Sequence, residues 1–251
     1  MPPLPSLNLR EELIAPGKKN RPGIKIVPTH ITIHNTDNTD AGADAAAHSG
    51  FVRNTGYYVL KSGKKNWVSW HFTVDDKAAI RHLPSNELGY HAGPGNAVSV
   101  AIEICMNKGI DRAAADSRAA LLTATLMGQL GISASKVVPH KQWTGKICPS
   151  ILLGGKPAGA RWSAFIAEVR QFAAQLGNAG AGMSPMAAAA PSMKSLVESP
   201  DIPMSLEHLE FEINHRQVRL GLSGGKTKAP SKTGKKPKAS KAKARKKTAS
   251  E

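Results

Sequence analysis

Apolar and polar positions change period along this chain, and the changes mark out its elements. Ile31-Thr32-Ile33 alternate and end on His34-Asn35-Thr36, a period-two run that predicts a strand delivering a histidine to its end. Val98 to Met106 is nearly continuous apolar sequence interrupted by one acid, Glu103, and predicts a central strand buried on both faces. Trp67 to Asp75 and Ala78 to Leu83 predict two further strands, with Asp75-Asp76-Lys77 as the hairpin turn between them. Val137-Val138 is a short strand leading to His140. Helical spacing takes over in between. Arg112 to Leu130 sets Ala115, Ala119, Leu122, Leu126 and Leu130 on one stripe, and Gly131 ends it. Arg161 to Leu176 repeats the pattern with Trp162, Phe165, Ile166, Val169 and Phe172. Ala41 to Phe51 predicts an alanine-rich helix capped from Asp37-Asn38-Thr39-Asp40.

Strands alternating with amphipathic helices predict an α/β domain over residues 24–177, a single mixed central β-sheet flanked by helices. Residues 1–23 form an arm broken by proline and glycine, with Leu7, Leu9, Leu13 and Ile14 expected to pack on the domain. Arg53 to Asn66, rich in glycine, tyrosine and lysine, predicts a mobile loop or a loosely paired ribbon. Beyond the domain the pattern fades. Residues 178–200 have an Ala/Gly/Ser/Pro linker composition. Residues 201–224 hold a short accessory or docking segment, with Leu206, Leu209, Phe211, Ile213, Val218 and Leu220, too small to bury a core of its own. Residues 225–251 lack large apolar groups and are expected to be disordered.

Charge sharpens that division. The net charge is +16, yet residues 225–251 hold 11 Lys/Arg against one Glu, leaving 23 basic and 17 acidic groups, or +6, on the first 224 residues. A lysine-rich tail without aromatics offers charge without base stacking, so nucleic-acid binding by it would be non-specific and salt-sensitive. Three prolines and early charges near the N-terminus leave no apolar signal core, and no run approaches the roughly 18 apolar residues of a membrane span. The chain is therefore expected to be made in the cytoplasm without a signal peptide. Its two cysteines, Cys105 and Cys148, leave one disulfide open on sequence grounds; Cys105, inside the apolar run, reads as a buried small hydrophobe.

Candidate chemistry centres on Pro139-His140-Lys141-Gln142-Trp143-Thr144-Gly145-Lys146-Ile147-Cys148-Pro149, which puts an imidazole, an ammonium and a thiol in one short loop. Zinc takes imidazole nitrogen and thiolate sulfur, and a catalytic zinc usually keeps three protein ligands and one open position. His140 and Cys148 would supply two, and His34 is the best candidate for the third.

Five blocks in order, Ile31-Thr-Ile-His34-Asn-Thr36, Val68-Ser-Trp70-His71-Phe-Thr-Val-Asp75, His91-Ala-Gly93, Val100-Ala-Ile-Glu103-Ile104 and His140 to Pro149, together resemble the type-2 N-acetylmuramoyl-L-alanine amidases. That family includes phage endolysins and is related to the peptidoglycan recognition proteins; the resemblance spans roughly residues 25–175. It implies Zn2+ held by His34, His140 and Cys148, with Cys148 a free thiolate. It further implies Glu103 as the acid and base, Lys146 as the cation that stabilises the oxyanion, and cleavage between N-acetylmuramic acid and L-alanine in peptidoglycan. His91 matches a family position near the substrate cleft and is expected to bind substrate, as is His71 of the Trp70-His71 block. Some relatives carry a tyrosine just before the latter histidine, where this chain has Trp70; the hydroxyl is then absent, or comes from Tyr57 or Tyr58, and Trp70 stacks on sugar. The multivalent charge of the tail also suits an anionic envelope polymer such as teichoic acid or lipopolysaccharide, which is the expected partner over nucleic acid. The expected role is a lytic enzyme acting at the cell wall after release or export. Alternatives are a recognition module without the metal, which would be expected to lack Cys148, and a cytoplasmic muropeptide-recycling amidase.

Overall fold

The computed structural model describes residues 4–180; the linker beyond residue 180, the accessory segment and the basic tail lie outside the described residues, and residues 178–180, expected to open the linker, continue the last helix. Eight short strands and five helices build the domain. Six strands form one sheet in the order β1-β6-β5-β7-β2-β8: β1 (Leu9–Glu11), β6 (Ala79–Arg81), β5 (Phe72–Val74), β7 (Ser99–Ile104), β2 (His30–Asn35) and β8 (Val137–Pro139). All neighbours run parallel except β5 and β6, the predicted hairpin. The sheet is mixed, as its alternation with helices implies.

The long helices cover one face. α2 (Arg112–Leu130) begins at Asp111, whose side chain accepts from Ala114 N–H, and ends at left-handed Gly131. Its buried stripe of Ala115, Ala119, Leu122 and Leu126 meets Phe165, Val169 and Phe172 of α5 (Ala160–Gly180) and the sheet residues Ile31, Ile33, Ile102 and Ile104 in one core. Alanines on α2 let α5 approach while the aromatic rings fill the space left. On the other face α1 (Ala45–Asn54) packs over β5 and β6.

Three elements differ from the sequence expectation. The helix expected from Ala41 starts at Ala45 because Gly42 takes a left-handed turn (φ +81) and Asp44, not Asp40, caps it through Ala47 N–H. Asp75 reinforces this start: Oδ2 accepts from Ala45 N–H while Oδ1 accepts from Lys77 and Ala78 N–H in the hairpin turn. The strand expected over Trp67 to Asp75 is divided. Trp67 ends β4 (Lys65–Trp67), which pairs with β3 (Tyr57–Val59) as an antiparallel ribbon. Val68 and Ser69 then bond to Gly56 and Tyr90 carbonyls before β5 begins. The arm also does more than pack, since β1 adds an edge strand and Ile14 is fully buried against Val52, Val68 and Leu83. No described helix is long and apolar enough to cross a membrane.

Glu87 ties the arm to the domain. Its carboxylate accepts two bonds from Arg21, at 2.7 and 3.1 Å, and one from Lys25 at 3.1 Å, with its side chain 8% exposed. The Arg21 bonds, helped by Lys25, outweigh burial and pull the carboxyl from about 4.5 down to about 2. As pH falls, the unfolded chain takes up this proton first, so the contribution is complete above about 4.5 and is lost as pH drops through about 2. Glu87→Gln should cost about 3 kcal/mol of unfolding free energy at pH 7 and little near pH 2. Denaturant titration at both pH values checks this, and an equal deficit at both would contradict it.

Candidate metal centre

The sheet register assembles the site. In the parallel pair of β2 and β7, His34 lies opposite Glu103, so both side chains leave the same face near the carboxyl ends of their strands. His34 Nδ1 stands 3.7 Å from Glu103 Oε1. On the other side of β2, β8 ends at Pro139, and His140 N–H donates to Ile33 C=O at 3.2 Å, which sets the two imidazoles 4.6 Å apart at their centroids. A four-residue helix, α3 (Lys141–Thr144), turns the chain back, and Lys141 N–H donates to Cys148 C=O at 3.1 Å to close the loop. Cys148 Sγ then lies 3.8 Å from His34 Nδ1. One donor atom each from His34, His140 and Cys148 falls within a 4.8 Å spread, all three side chains are buried, and both cysteines are free.

These donors fit zinc. Nitrogen and sulfur ligands on a tetrahedral zinc stand roughly 3.3–3.7 Å apart, given bonds of about 2.0–2.1 and 2.3 Å, and the pair measured at 3.8 Å needs almost no movement. Without a dication the groups are strongly biased to neutrality. Burial pushes the Cys148 thiol well up, only partly opposed by Lys146, and burial, then His140, pushes His34 well down. A buried dication reverses the bias at the thiol, and neutral imidazole is the form a metal takes.

Behind the donors stands a supporting shell. His34 presents its other nitrogen, Nε2, to His91 Nδ1 at 3.2 Å, a contact that orients the ring. Asn96 Oδ1 accepts from the N–H groups of His91 and Ala92, fixing that loop. Below the thiol loop, Trp143 Nε1–H donates to Thr32 Oγ1, Thr32 to Ser99 Oγ, and Ser99 to Gly95 C=O, at 2.9, 2.8 and 2.7 Å. This chain of bonds runs from the ligand loop through two buried strand positions to the loop that carries His91.

A small cleft open to solvent leads to the centre. Glu103, Lys146, Tyr58, Trp70 and His91 line it with the three donors. The remaining expected substrate contacts lie elsewhere. His71 is fully buried beneath the cleft: Nε2–H donates to Glu87 C=O at 2.8 Å and Nδ1 accepts from Ala101 N–H at 3.0 Å, which fixes a neutral tautomer. Tyr57 is paired with Trp67 on the β3–β4 ribbon and has Lys65 Nζ 4.1 Å from its ring centre. Trp70 lines the cleft but is 6% exposed, its Nε1–H donates to Thr73 Oγ1, and its ring stacks near Phe51. Of the two expected tyrosines Tyr58 reaches the cleft, which Tyr90 also lines, and its hydroxyl is pushed up to about 12 by burial and then by Glu103.

Sequence reasoning missed Asn35, Asp37, Thr32, Gly95 and Trp143. Each acts through a partner distant in the chain, and periodicity carries no trace of such bonds. For Asp37 a weak signal existed, an acid placed just after the strand that carries His34.

The family model described as N-acetylmuramoyl-L-alanine amidase matches residues 24–151, which include all three donors, Glu103 and Lys146. N-acetylmuramoyl-L-alanine amidase XlyA of Bacillus subtilis (strain 168) is 46% identical over 151 residues, 59% of this chain and 48% of that protein. N-acetylmuramoyl-L-alanine amidase CwlH of the same organism is 41% identical over 165 residues, 64% of this chain and 60% of that protein. The chain thus spans about half to three-fifths of these relatives. The solved catalytic domain of XlyA aligns with 64% of this chain and 99% of its own, at 44% identity and a TM-score of 0.57. The PlyG catalytic domain aligns at 31% identity and a TM-score of 0.55, covering 66% of this chain and 94% of its own.

Gly95 tests the supporting shell. A Cβ there would sit 2.8 Å from three atoms of the Trp143 indole, a clash that only movement of the ring or the loop relieves. Gly95→Ala should cost about 1–3 kcal/mol of stability, read by denaturant unfolding. An unchanged unfolding curve would mean that Trp143 does not hold the loop.

Proposed function

The chain belongs to the N-acetylmuramoyl-L-alanine amidase family, and from that premise we propose that it hydrolyses the amide between N-acetylmuramic acid and L-alanine in peptidoglycan, with zinc bound by His34, His140 and Cys148. The observation that carries the reading is the convergence of two imidazoles and a thiol within 4.8 Å, with a carboxylate 3.7 Å from one imidazole in the same cleft.

Zinc at these residues would polarise the amide carbonyl and supply hydroxide at neutral pH. Glu103, on the rigid centre of the sheet, takes the proton of the attacking water and returns it to the departing alanine nitrogen. As the carbonyl oxygen gains charge, Lys146 and Tyr58, which both line the cleft, would donate to it. Tyr58 remains a protonated phenol at neutral pH, so it can donate, and it supplies the hydroxyl that the Trp70 position lacks. His91 orients His34 and borders the substrate path. His71 contributes by holding β7 to the Glu87 loop, and Tyr57 and Trp70 by packing.

The binding-only alternative is disfavoured by the presence of Cys148, which completes a set of three converging donors with His34 and His140. At the level of the cell, the reading is an endolysin-like, bacteriolytic enzyme that meets the wall after release or export. Residues 225–251 would concentrate it there by attraction to teichoic acid or lipopolysaccharide.

Purified protein should release alanine amine from peptidoglycan, lose the activity to a chelator and regain it with zinc. Glu103→Gln should lower kcat by about 10²–10⁴-fold, Cys148→Ala should lose zinc with activity, and Tyr58→Phe should cost about 10²-fold in kcat. Wall binding without release under any condition would favour the recognition-module reading. Preference for soluble fragments over intact sacculi would favour recycling. Deleting residues 225–251 should weaken wall binding at low salt and matter less at high salt; equal pelleting with sacculi at both would remove the tail's role.

A further inference from the structure

Asp37 joins the two halves of the metal centre. It follows His34 by three residues and holds a left-handed backbone, φ +51, which only glycine, asparagine and aspartate adopt with any ease. Its side chain is 1% exposed. Oδ1 accepts from Ser150 Oγ at 3.2 Å, and Oδ2 lies 3.5 Å from Lys146 Nζ. These partners stand two residues after and two residues before Cys148. One buried anion, placed by the strand that carries the first imidazole, therefore grips both sides of the loop that carries the thiol. Asn35 adds a neighbouring tie, with Oδ1 accepting from Ile151 N–H at 3.1 Å and Nδ2–H donating to Ile104 C=O at 3.3 Å.

We propose that Asp37 is a positioning residue for both metal retention and the Lys146 ammonium, because its carboxylate clamps the Cys148 loop onto the end of β2. This rests on the zinc amidase reading above. The backbone supports the assignment. A left-handed non-glycine residue costs about 1–2 kcal/mol, and such conformations persist where surrounding bonds over-determine them and cluster at functional sites. Nothing in the turn's own path requires a side chain here, since glycine would relax the backbone. The carboxylate is what glycine would remove, and both of its oxygens point to the flanks of Cys148.

Two substitutions separate backbone from carboxylate. Asp37→Gly relaxes the left-handed turn and removes both ties. Asp37→Asn tolerates the turn and keeps an acceptor for Ser150, but no longer balances the charge of Lys146. Ser150→Ala removes one tie alone. The full chain, wild type and variants, is compared by chelator competition for zinc, by the absorption of the cobalt-substituted protein, by kcat and KM, and by thermal unfolding with and without zinc. Asp37→Gly should bind zinc about 10–100-fold more weakly, with a changed thiolate-to-cobalt band, while its metal-free form unfolds no earlier than wild type. Asp37→Asn should lower kcat about tenfold or more with KM little changed, as expected for a displaced oxyanion donor. Ser150→Ala should fall between wild type and Asp37→Gly in zinc affinity.

Zinc affinity and cobalt spectra unchanged in all three variants would overturn the inference, and so would a loss of thermal stability with affinity intact, which marks a merely structural residue. Should Asp37→Gly fail to fold, Asp37→Asn and Ser150→Ala carry the same comparison. A wild type that binds neither zinc nor cobalt would overturn the zinc reading itself, whereas binding by wild type and variants alike overturns only the role of Asp37.

Discussion

The parallel pairing of β2 with β7 on one side and β8 on the other is the constraint on which this structure turns. Side chains alternate along a strand, so a slip of one residue in the β2–β7 register would send Glu103 to the opposite face from His34. The register is held because Ile31 and Ile33 on β2, and Val100, Ile102 and Ile104 on β7, are buried in full. A slip would expose apolar area worth about 2 kcal/mol for each large side chain. The hydrophobic core thus sets the geometry of the cleft to within a fraction of a residue, and the polar groups inherit their positions from it.

That inheritance is uneven. His34 and Glu103 sit on the sheet, where packing fixes them. His140 and Cys148 lie at and beyond the end of β8, the edge strand, in a loop with little apolar area of its own, and Ile147 beside the thiol is exposed. The loop is held by directed bonds instead: Lys141 to Cys148, Trp143 to Thr32, Ile151 to Asn35, and the Asp37 contacts. His34 and Glu103 are thus fixed by burial of the strands that carry them, and His140 and Cys148 by hydrogen bonds.

This division explains what could be read in the sequence. The strand carrying His34, the apolar strand carrying Glu103, the hairpin turn at Asp75-Asp76-Lys77 and the full extent of α2 were legible because local period and end signals agree with the tertiary fold there. The donor triad was legible through residue chemistry and resemblance, and its convergence in space matches that expectation. The start of α1 was not, because a glycine turn and a cap four residues later override alanine propensity. His71 shows a second kind of opacity. The resemblance places it with the substrate contacts, but its ring is held beneath the cleft by two backbone bonds to distant residues, which residue type and local period do not reveal.

The thiol reveals why the supporting bonds must be many. Burial alone would keep Cys148 protonated, so a free thiol in this position is stable without the metal and indifferent to it unless the other donors are already close. Preorganisation by Asn35, Asp37 and the Trp143–Thr32–Ser99 chain brings Sγ to within 3.8 Å of His34 before any ion arrives, which lowers the ordering cost that binding must offset. The same bonds set Lys146 beside the cleft, two residues from the ligand. Under the zinc reading proposed above, metal affinity and the placement of the Lys146 ammonium are two consequences of one loop geometry, and sequence changes that loosen the loop should affect them together.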